Sequence, residues 1–426
     1  MFRKTKEFFK ERTFLKSLSV LAFGSIASQA ITLLISPIIS RVYLDYEMGE
    51  YTLILSIISL FSAVTMGRYD LTIVSESNSN YVKAIIRLCK FLLLITTPVV
   101  SMICFLQYFL SNEQKLSPLV YGISIAIALF FNGLILIYQS VLNRSRQYEQ
   151  LAMANIINIS IKNLGTVVLG LLGLGIYGLI ISLLLGLLVQ VVWIKKKITT
   201  DYLTLQDITN DTIKYVARKH IRQPLYSVPA CFANNFSAQS TNIFIKSLFG
   251  NATLGQFSFS HRILALPISI ISANVSKVYF ETASREYEKK GNYLATFKKT
   301  TIFLSLIAIP IGLSIFFLGP KVIVWLLGSK WSEAGIMSRY MAPLYSVQFI
   351  VSPLTLGSLV SEKQYYELQM QILFVLCALI NYFVAKFYYF DVITYLIIVS
   401  LSSSFLYLLY FIRLYFLSKK MKGVIE

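Results

Sequence analysis

The sequence predicts an all-α integral membrane protein with about twelve transmembrane helices in two parallel six-helix repeats. The first observation is composition. Of 426 residues, 56% are apolar and only 14% charged, with a mean hydropathy of +0.66, which leaves too little polar surface for a soluble domain. The second is length: apolar runs of roughly 20 residues, enough for a helix to cross about 30 Å of hydrocarbon, recur from Leu18 almost to the C-terminus. The third is an internal echo between the two halves of the chain.

The expected spans of the first half are 18–40, 49–75, 84–109, 118–142, 150–172 and 175–194. Those of the second are 225–248, 254–282, 299–319, 336–360, 366–386 and 392–416. The basic start, MFRKTKEFFKERTFLK, has the charge of a signal peptide, but the apolar stretch after it runs to Ser40 without a small-residue cleavage site and is expected to stay as the first helix. The longest polar connection, residues 195–223, falls at the midpoint. The expected organisation is therefore an N-terminal six-helix lobe (1–197), a cytoplasmic linker (198–222) and a C-terminal six-helix lobe (223–426).

Net charge is +19, and topology accounts for most of it. The majority of the 39 lysines and arginines lie in segments 1–17, 76–90, 143–149, 195–223, 283–299 and 413–426, all on one side in this scheme. The opposite side receives only Arg41, Lys115, Lys246, Lys321, Lys330, Arg339 and Lys386. The positive-inside rule then places both termini in the cytoplasm, and a nucleic-acid partner is not needed to explain the charge.

Aligning Gly49 with Gly255 lays VYLDYEMGEY (42–51) over LFGNATLGQF (248–257), each at a turn from a first to a second helix. A second echo lays LNRSRQYEQL (142–151) over LVSEKQYYEL (359–368), after the fourth helix of each half. Equivalent helices point the same way, so the repeats are parallel, with a site expected between the halves.

Several helices carry polar residues on one face. The stripes are Ser25, Gln29, Thr32 and Ser36; Ser62, Thr65, Arg68, Tyr69 and Thr72; Asn155, Asn158, Lys162 and Thr166; and Asn235, Gln239, Asn242 and Lys246. Two readings stand for such faces: hydrogen bonds between helices in a dry bundle, or the wall of a polar cavity. For the charges, the cavity reading is the stronger one. A Lys or Arg near the bilayer centre costs roughly 2.5–3.5 kcal/mol and is normally retained for water, a partner or a substrate. Lys162 lies near the midplane. Lys277 can snorkel to the cytoplasmic edge, and Asp70 can pair with a neighbouring cation. Arg68, Lys162, Arg262 and Lys277 stand against Asp70 and Glu281, with His261 titratable near neutrality. That cationic balance suits an anion such as a diphosphate, which guanidinium can grip bidentately, and makes Arg68, Lys162, Arg262, Asp70 and His261 the candidate cavity residues. The amides of Gln29, Asn155, Asn158, Asn235, Gln239 and Asn242 would contact sugar.

Pro37, Pro98, Pro267, Pro310 and Pro353 fall inside apolar runs and predict bends. Gly178, Ser182 and Gly186 form a small-residue packing face. Cys89, Cys104, Cys231 and Cys377 are widely spaced and read as small core residues. No catalytic constellation, metal-ligand spacing or phosphate-binding Gly-rich loop occurs, so neither an enzyme nor a cofactor is expected.

Three blocks resemble a known family. SPIISRVYLDYEMGEYTLILSIISL (36–60) with GRYDLTIV (67–74) is similar to the first two helices of the O-antigen and capsular repeat-unit flippases, the polysaccharide transporters of the MOP exporter superfamily. QPLYSVPACFANNFS (223–237) with LFGNATLGQFSFSHRILALPISII (248–271) resembles their helices 7 and 8, and GSKWSEAGIMSRYMAPLYSVQFIVSPL (328–354) the segment entering helix 10. The chain departs from the family in carrying Asp70 where glutamate is usual and His261 where glutamine is common. The resemblance implies a MOP/MATE-like fold in the cytoplasmic (inner) membrane and makes Arg68, Asp70 and Arg262 cavity residues. It implies as partners an undecaprenyl diphosphate-linked oligosaccharide, membrane lipid, and the polymerase and chain-length proteins of the same pathway. The rivals are a cation-coupled small-molecule antiporter on the same fold, which the scarcity of buried acids disfavours, and a membrane polymerase or ligase. Such enzymes usually need a large external loop, and the longest external segment here, 320–335, is short.

Overall fold

A computed structural model describes residues 24, 26–111, 116–198, 202 and 208–420. The basic segment 1–17, Lys115 and the linker positions 199–201 and 203–207 lie outside the described residues, as does Ser25 of the first polar stripe. No strand occurs among the described residues.

The first half comprises α1 (Ile26–Val42), α2 (Asp45–Phe61), α3 (Ser79–Phe109), α4 (Pro118–Arg144), α5 (Tyr148–Leu171) and α6 (Gly175–Lys197). A short polar helix, α7 (Asn210–Lys219), precedes α8 (Val228–Pro267). Gly250, at φ 85° and ψ 179°, breaks α8 into the two helices expected on either side of it. Then come α9 (Ala273–Lys290), α10 (Leu294–Leu327), α11 (Ser332–Val351), α12 (Tyr365–Phe387) and α13 (Val392–Lys419). Nine stretches among the described residues are long and apolar enough to cross a membrane, and the chain is a multi-pass membrane protein.

One expected helix is not continuous. The span 49–75 is helical to Phe61, turns through 62–68, and resumes only as a 3₁₀ turn (Tyr69–Leu71) and a single α-turn (Thr72–Ser75). Gly67 (φ 61°) and Arg68 (φ 59°) are both left-handed, which no α-helix accommodates. The stripe Ser62, Thr65, Arg68, Tyr69, Thr72 therefore is not one helix face. Prolines behave differently by position. Pro98 and Pro310 sit inside continuous helices. Pro267 is followed by a wider π-turn (Ile268–Ser272), and Pro353 lies in a 3₁₀ segment (Ser352–Leu356).

Two compact units are present. One takes the chain up to Tyr43 and Leu53–Asn235; the other takes Leu44–Thr52 and Phe236 onward. Within the first, α5 and α6 pack along most of their length, and Gly186 and Gly178 make that possible. A Cβ at Gly186 would lie 3.0 Å from the Asn158 carbonyl oxygen, and one at Gly178 would lie 3.1 Å from Leu169 Cβ. Within the second, α2 crosses the segment after Gly250 at the paired glycines. A Cβ at Gly49 would fall 1.7 Å from the Asn251 carbonyl oxygen, and one at Gly255 would fall 1.8 Å from that of Asp45. The aligned pairs 45/251 and 49/255 thus exchange the same contact in both directions, which is how two copies of one motif cross.

The second echo is also a repeated backbone. Arg146 (φ 56°) and Glu362 (φ 58°) both turn left-handed, and the next amide closes each turn: Gln147 N to Leu142 O at 2.9 Å, Lys363 N to Ser358 O at 2.8 Å. The sequence alignment set Arg146 over Lys363; the backbone sets it over Glu362. The turn after α5 recurs after α12 in the same manner, at Gly173 (φ 77°) and Tyr389 (φ 53°), closed by Leu174 N to Leu169 O and Phe390 N to Ala385 O.

Candidate functional site

The polar stripe of α5 lies on one face, as its 3.6-residue period requires. In the first unit that face meets α6 and α4. Asn158 Nδ2 donates to Gln190 Oε1 at 2.6 Å, Gln190 Nε2 donates to Asn155 Oδ1 at 2.9 Å, and Gln139 Nε2 reaches the same oxygen at 3.3 Å. Four amides on three helices form one chain, in which the exposed Asn155 accepts from both Gln190 and Gln139. Lys162 follows one turn on, ~20 Å along α5; a Cβ at Gly186 would lie 3.1 Å from Lys162 Cβ. Farther along, Thr166 and Ser182 hydroxyls share a bond at 2.8 Å, and Tyr43 OH donates to Thr166 O at 2.7 Å. The stripe is thus packed glue at its Thr166 end and half-buried amides with a cation in its middle. Gln139 and Gln190 were not expected: Gln190 is a lone amide in an apolar run, whereas Gln139 has Asn132 seven residues before and Asn143 four residues after it, a period that could have found it.

Gln29 is half-buried on α1, one turn before Thr32, whose Oγ1 accepts from Asn163 Nδ2 at 3.2 Å. Asn235 is engaged across helices, its Nδ2 donating to Ser59 O of α2 at 3.0 Å. Asn242 Nδ2 donates to Gln239 Oε1 at 3.3 Å within α8.

Arg68 and Asp70 stand in the left-handed turn after α2. Asp70 is 3% exposed, and its Oδ1 has no hydrogen-bond partner, nor has Arg68 Nε. Asp70 forms no ion pair among the described residues, so neither structural pair open to it in the sequence, with a cation near Arg68 or with Lys162, is made. The turn is instead tied to α7. Tyr69 OH donates to Ala217 O at 3.2 Å; Lys219 Nζ donates to Glu76 Oε2 at 2.6 Å; and His220 Nε2 lies 3.2 Å from the same oxygen. Tyr81 and Tyr215 rings meet at 5.3 Å, and Arg87 donates to Ile208 O at 2.7 Å. The bond from Lys219 holds the Glu76 carboxyl below its ordinary value, and Glu76 in turn raises Lys219. Arg144, counted in the sequence only as a topological charge, caps the turn by donating to Ile73 O at 3.1 Å and to Glu76 O.

In the second unit, His261 Nδ1 is hydrogen-bonded to Tyr345 OH, and the imidazole stacks on Phe257 at 6.0 Å. Arg262 lies over Phe259 at 5.2 Å, and Phe259 meets Trp331 edge-on at 4.4 Å. Lys277 is on α9; Glu281 is exposed and pairs with Arg285 at 2.7 Å. Carboxylates that the sequence did not single out, Glu47 (8% exposed) and Glu50 (0%), are buried at the start of α2. No group of three or more His, Cys, Asp or Glu able to hold a metal occurs among the described residues.

These features define a helical membrane protein with a half-buried cationic and amide-lined site, and comparison with known proteins places it. The model of the polysaccharide biosynthesis protein family matches residues 64–335, and the chain belongs to that family. No curated protein matches the sequence. Among solved structures, an inward-facing multidrug resistance MATE family transporter of the MOP superfamily is 13% identical, covering 95% of this chain and 98% of its own, with TM-score 0.70. The lipid II flippase MurJ in its inward closed conformation is 16% identical, covering 93% and 87%, with TM-score 0.73. A Vibrio cholerae MATE transporter is 12% identical, covering 96% of each chain, with TM-score 0.60. At these identities the likeness is one of fold, and the fold is that of the MOP superfamily.

Proposed function

We propose that the protein is a flippase that carries an undecaprenyl diphosphate-linked oligosaccharide, an O-antigen or capsule repeat unit, from the inner to the outer face of the cytoplasmic membrane by alternating access. The observation that carries this reading is Lys162 in the middle of a membrane-spanning helix, one turn from the amide chain Asn158, Gln190, Asn155 and Gln139. A cation grips phosphate, and amides offer sugars both donors and acceptors. The family supplies the glycan, and the lipid II flippase of the same fold supplies the precedent of a lipid-linked cargo.

In this reading Arg68, Lys162 and Arg262 hold the diphosphate while the lipid tail stays in the bilayer, and the two six-helix lobes rock between inward and outward states. No bond is made or broken, so the protein acts as a transporter and not as a polymerase or ligase. With the cell interior negative, moving about two negative charges outward is favoured by roughly 4–5 kcal/mol per 100 mV. The polymerase and chain-length proteins of the pathway take the product on the far side.

The test is complementation of a deletion strain with Arg68→Ala, Lys162→Ala and Arg262→Ala, measuring surface glycan at matched membrane levels. Each variant inserts normally and loses surface glycan; parental glycan from all three would sink the reading. One observation favours the rival cation-coupled antiporter: the buried Asp70 with its unpartnered Oδ1. Under that rival, Asp70→Asn abolishes ion-driven export of small cations, whereas under the flippase reading no such export exists to lose.

A further inference from the structure

A cavity of about 460 Å³ lies in the second unit, away from every residue assigned above to the cargo. One wall is a face of α9 (Val275, Val278, Tyr279); the other is a face of α10 (Lys299, Thr300, Phe303). The two helices are clasped at one end by Glu286, whose Oε2 accepts from Thr296 N at 2.9 Å and Thr296 Oγ1 at 2.6 Å. Beyond that clasp they leave the slot. Its rim faces outward, since Val278 is 65% and Phe303 51% exposed, while Tyr279 is buried at its back. α10 is long and apolar enough to span a membrane, and α9 is the charged end of a stretch whose apolar part also qualifies, which sets the slot where the hydrocarbon gives way to the charged membrane edge.

The charge at the clasped end is one-sided. Glu281 is paired with Arg285 at 2.7 Å and Glu286 with Lys290 at 3.4 Å; Glu288 is offset in charge by its neighbour Lys289, and Lys277 on α9 with Lys298 and Lys299 at the start of α10 remain as the excess, all three exposed. Lys299 is the one that lines the slot. An apolar slot of this size, opening laterally into the bilayer with one cation at its mouth, matches a single hydrocarbon chain beneath an anionic phosphate. It is too small for a whole polyprenyl tail.

We infer that the slot between α9 and α10 binds one molecule of an anionic membrane phospholipid, its acyl chain lying against Val278, Tyr279 and Phe303 and its headgroup phosphate on Lys299. This site stands independently of the cargo and of the flippase reading.

The test uses the full chain, purified from nanodiscs made with equal parts of phosphatidylglycerol and phosphatidylethanolamine, with bound lipid counted by native mass spectrometry. The parental protein retains phosphatidylglycerol in preference by about fivefold, the worth of one lysine at an anionic surface. Lys299→Ala removes the preference while keeping a bound lipid, and Val278→Trp, which fills the slot, removes the bound lipid itself. Circular dichroism and melting on both variants establish that they fold. Equal retention of the two lipids by the parental protein, or a preference unchanged in both folded variants, overturns the inference.

Discussion

At the residue scale, Lys162 is the most consequential side chain. It lies on the same face as Asn155 and Asn158, a placement legible from spacing alone because a helix fixes which residues share a face. That two further amides complete the cluster was not legible. Gln139 and Gln190 come from two other helices, and only tertiary packing brings them to Asn155. Under the flippase reading, removing a positive charge that holds a buried anion costs about 2–5 kcal/mol, so Lys162→Ala lowers transport by roughly thirtyfold or more, and Lys162→Arg restores part of it. The readout is the initial rate of lipid-linked glycan movement in reconstituted vesicles. Glycines give a second prediction at this scale. Gly49→Ala would drive a methyl group into the Asn251 carbonyl, where the neighbour is backbone and cannot rotate away. It destabilises by about 1–3 kcal/mol or more, seen as a lowered melting temperature in detergent. Gly173→Ala meets nothing within 4 Å and bears only the cost of its φ of 77°, about 1–2 kcal/mol.

At the scale of elements, hydropathy located the helices because lipid imposes the same apolar demand on each. It failed at residues 62–71, where apolar neighbours on both sides outweigh Arg68 and Asp70 in the average while Gly67 and Arg68 turn the backbone left-handed. Hydropathy cannot register that turn. The polar linker also carried no sign of its docking, which depends on single atoms of Tyr69 and Glu76 meeting α7. That docking has a pH dependence. The Glu76 carboxyl is depressed below its ordinary 4.5, so its contribution is present above that value and lost as pH falls through the lower folded value. Lys219 is raised above its ordinary 10.5, so its contribution is present below that value and lost as pH rises through the higher folded one. The latch is therefore intact throughout the neutral range and opens only in acid, once pH falls through the depressed folded value of Glu76. Glu76→Gln opens it at neutral pH. Hydrogen exchange over residues 210–220 reads both effects: protection falls in the variant and in acid, and identical protection in parent and variant at pH 7 would rule the latch out.

At the scale of the whole molecule, the two sequence echoes were true structural repeats. The 45/251 and 49/255 exchange and the paired left-handed turns at Arg146 and Glu362 show that what is repeated is backbone geometry, with side chains free to drift. This explains why the second echo was aligned one residue out of register: Gln-Tyr is similar in letters, whereas the turn is similar in φ. Family and fold together define a MOP-fold membrane protein of polysaccharide biosynthesis, and the cationic, amide-lined face of α5 directs the reading toward an anionic, sugar-bearing cargo. The measurement that tests this most directly is to delete the gene in its host and probe, with a membrane-impermeant glycan reagent, which face of the membrane carries the lipid-linked repeat unit. The flippase account predicts complete units accumulating on the cytoplasmic face with loss of surface glycan; units reaching the outer face at the parental rate would contradict it.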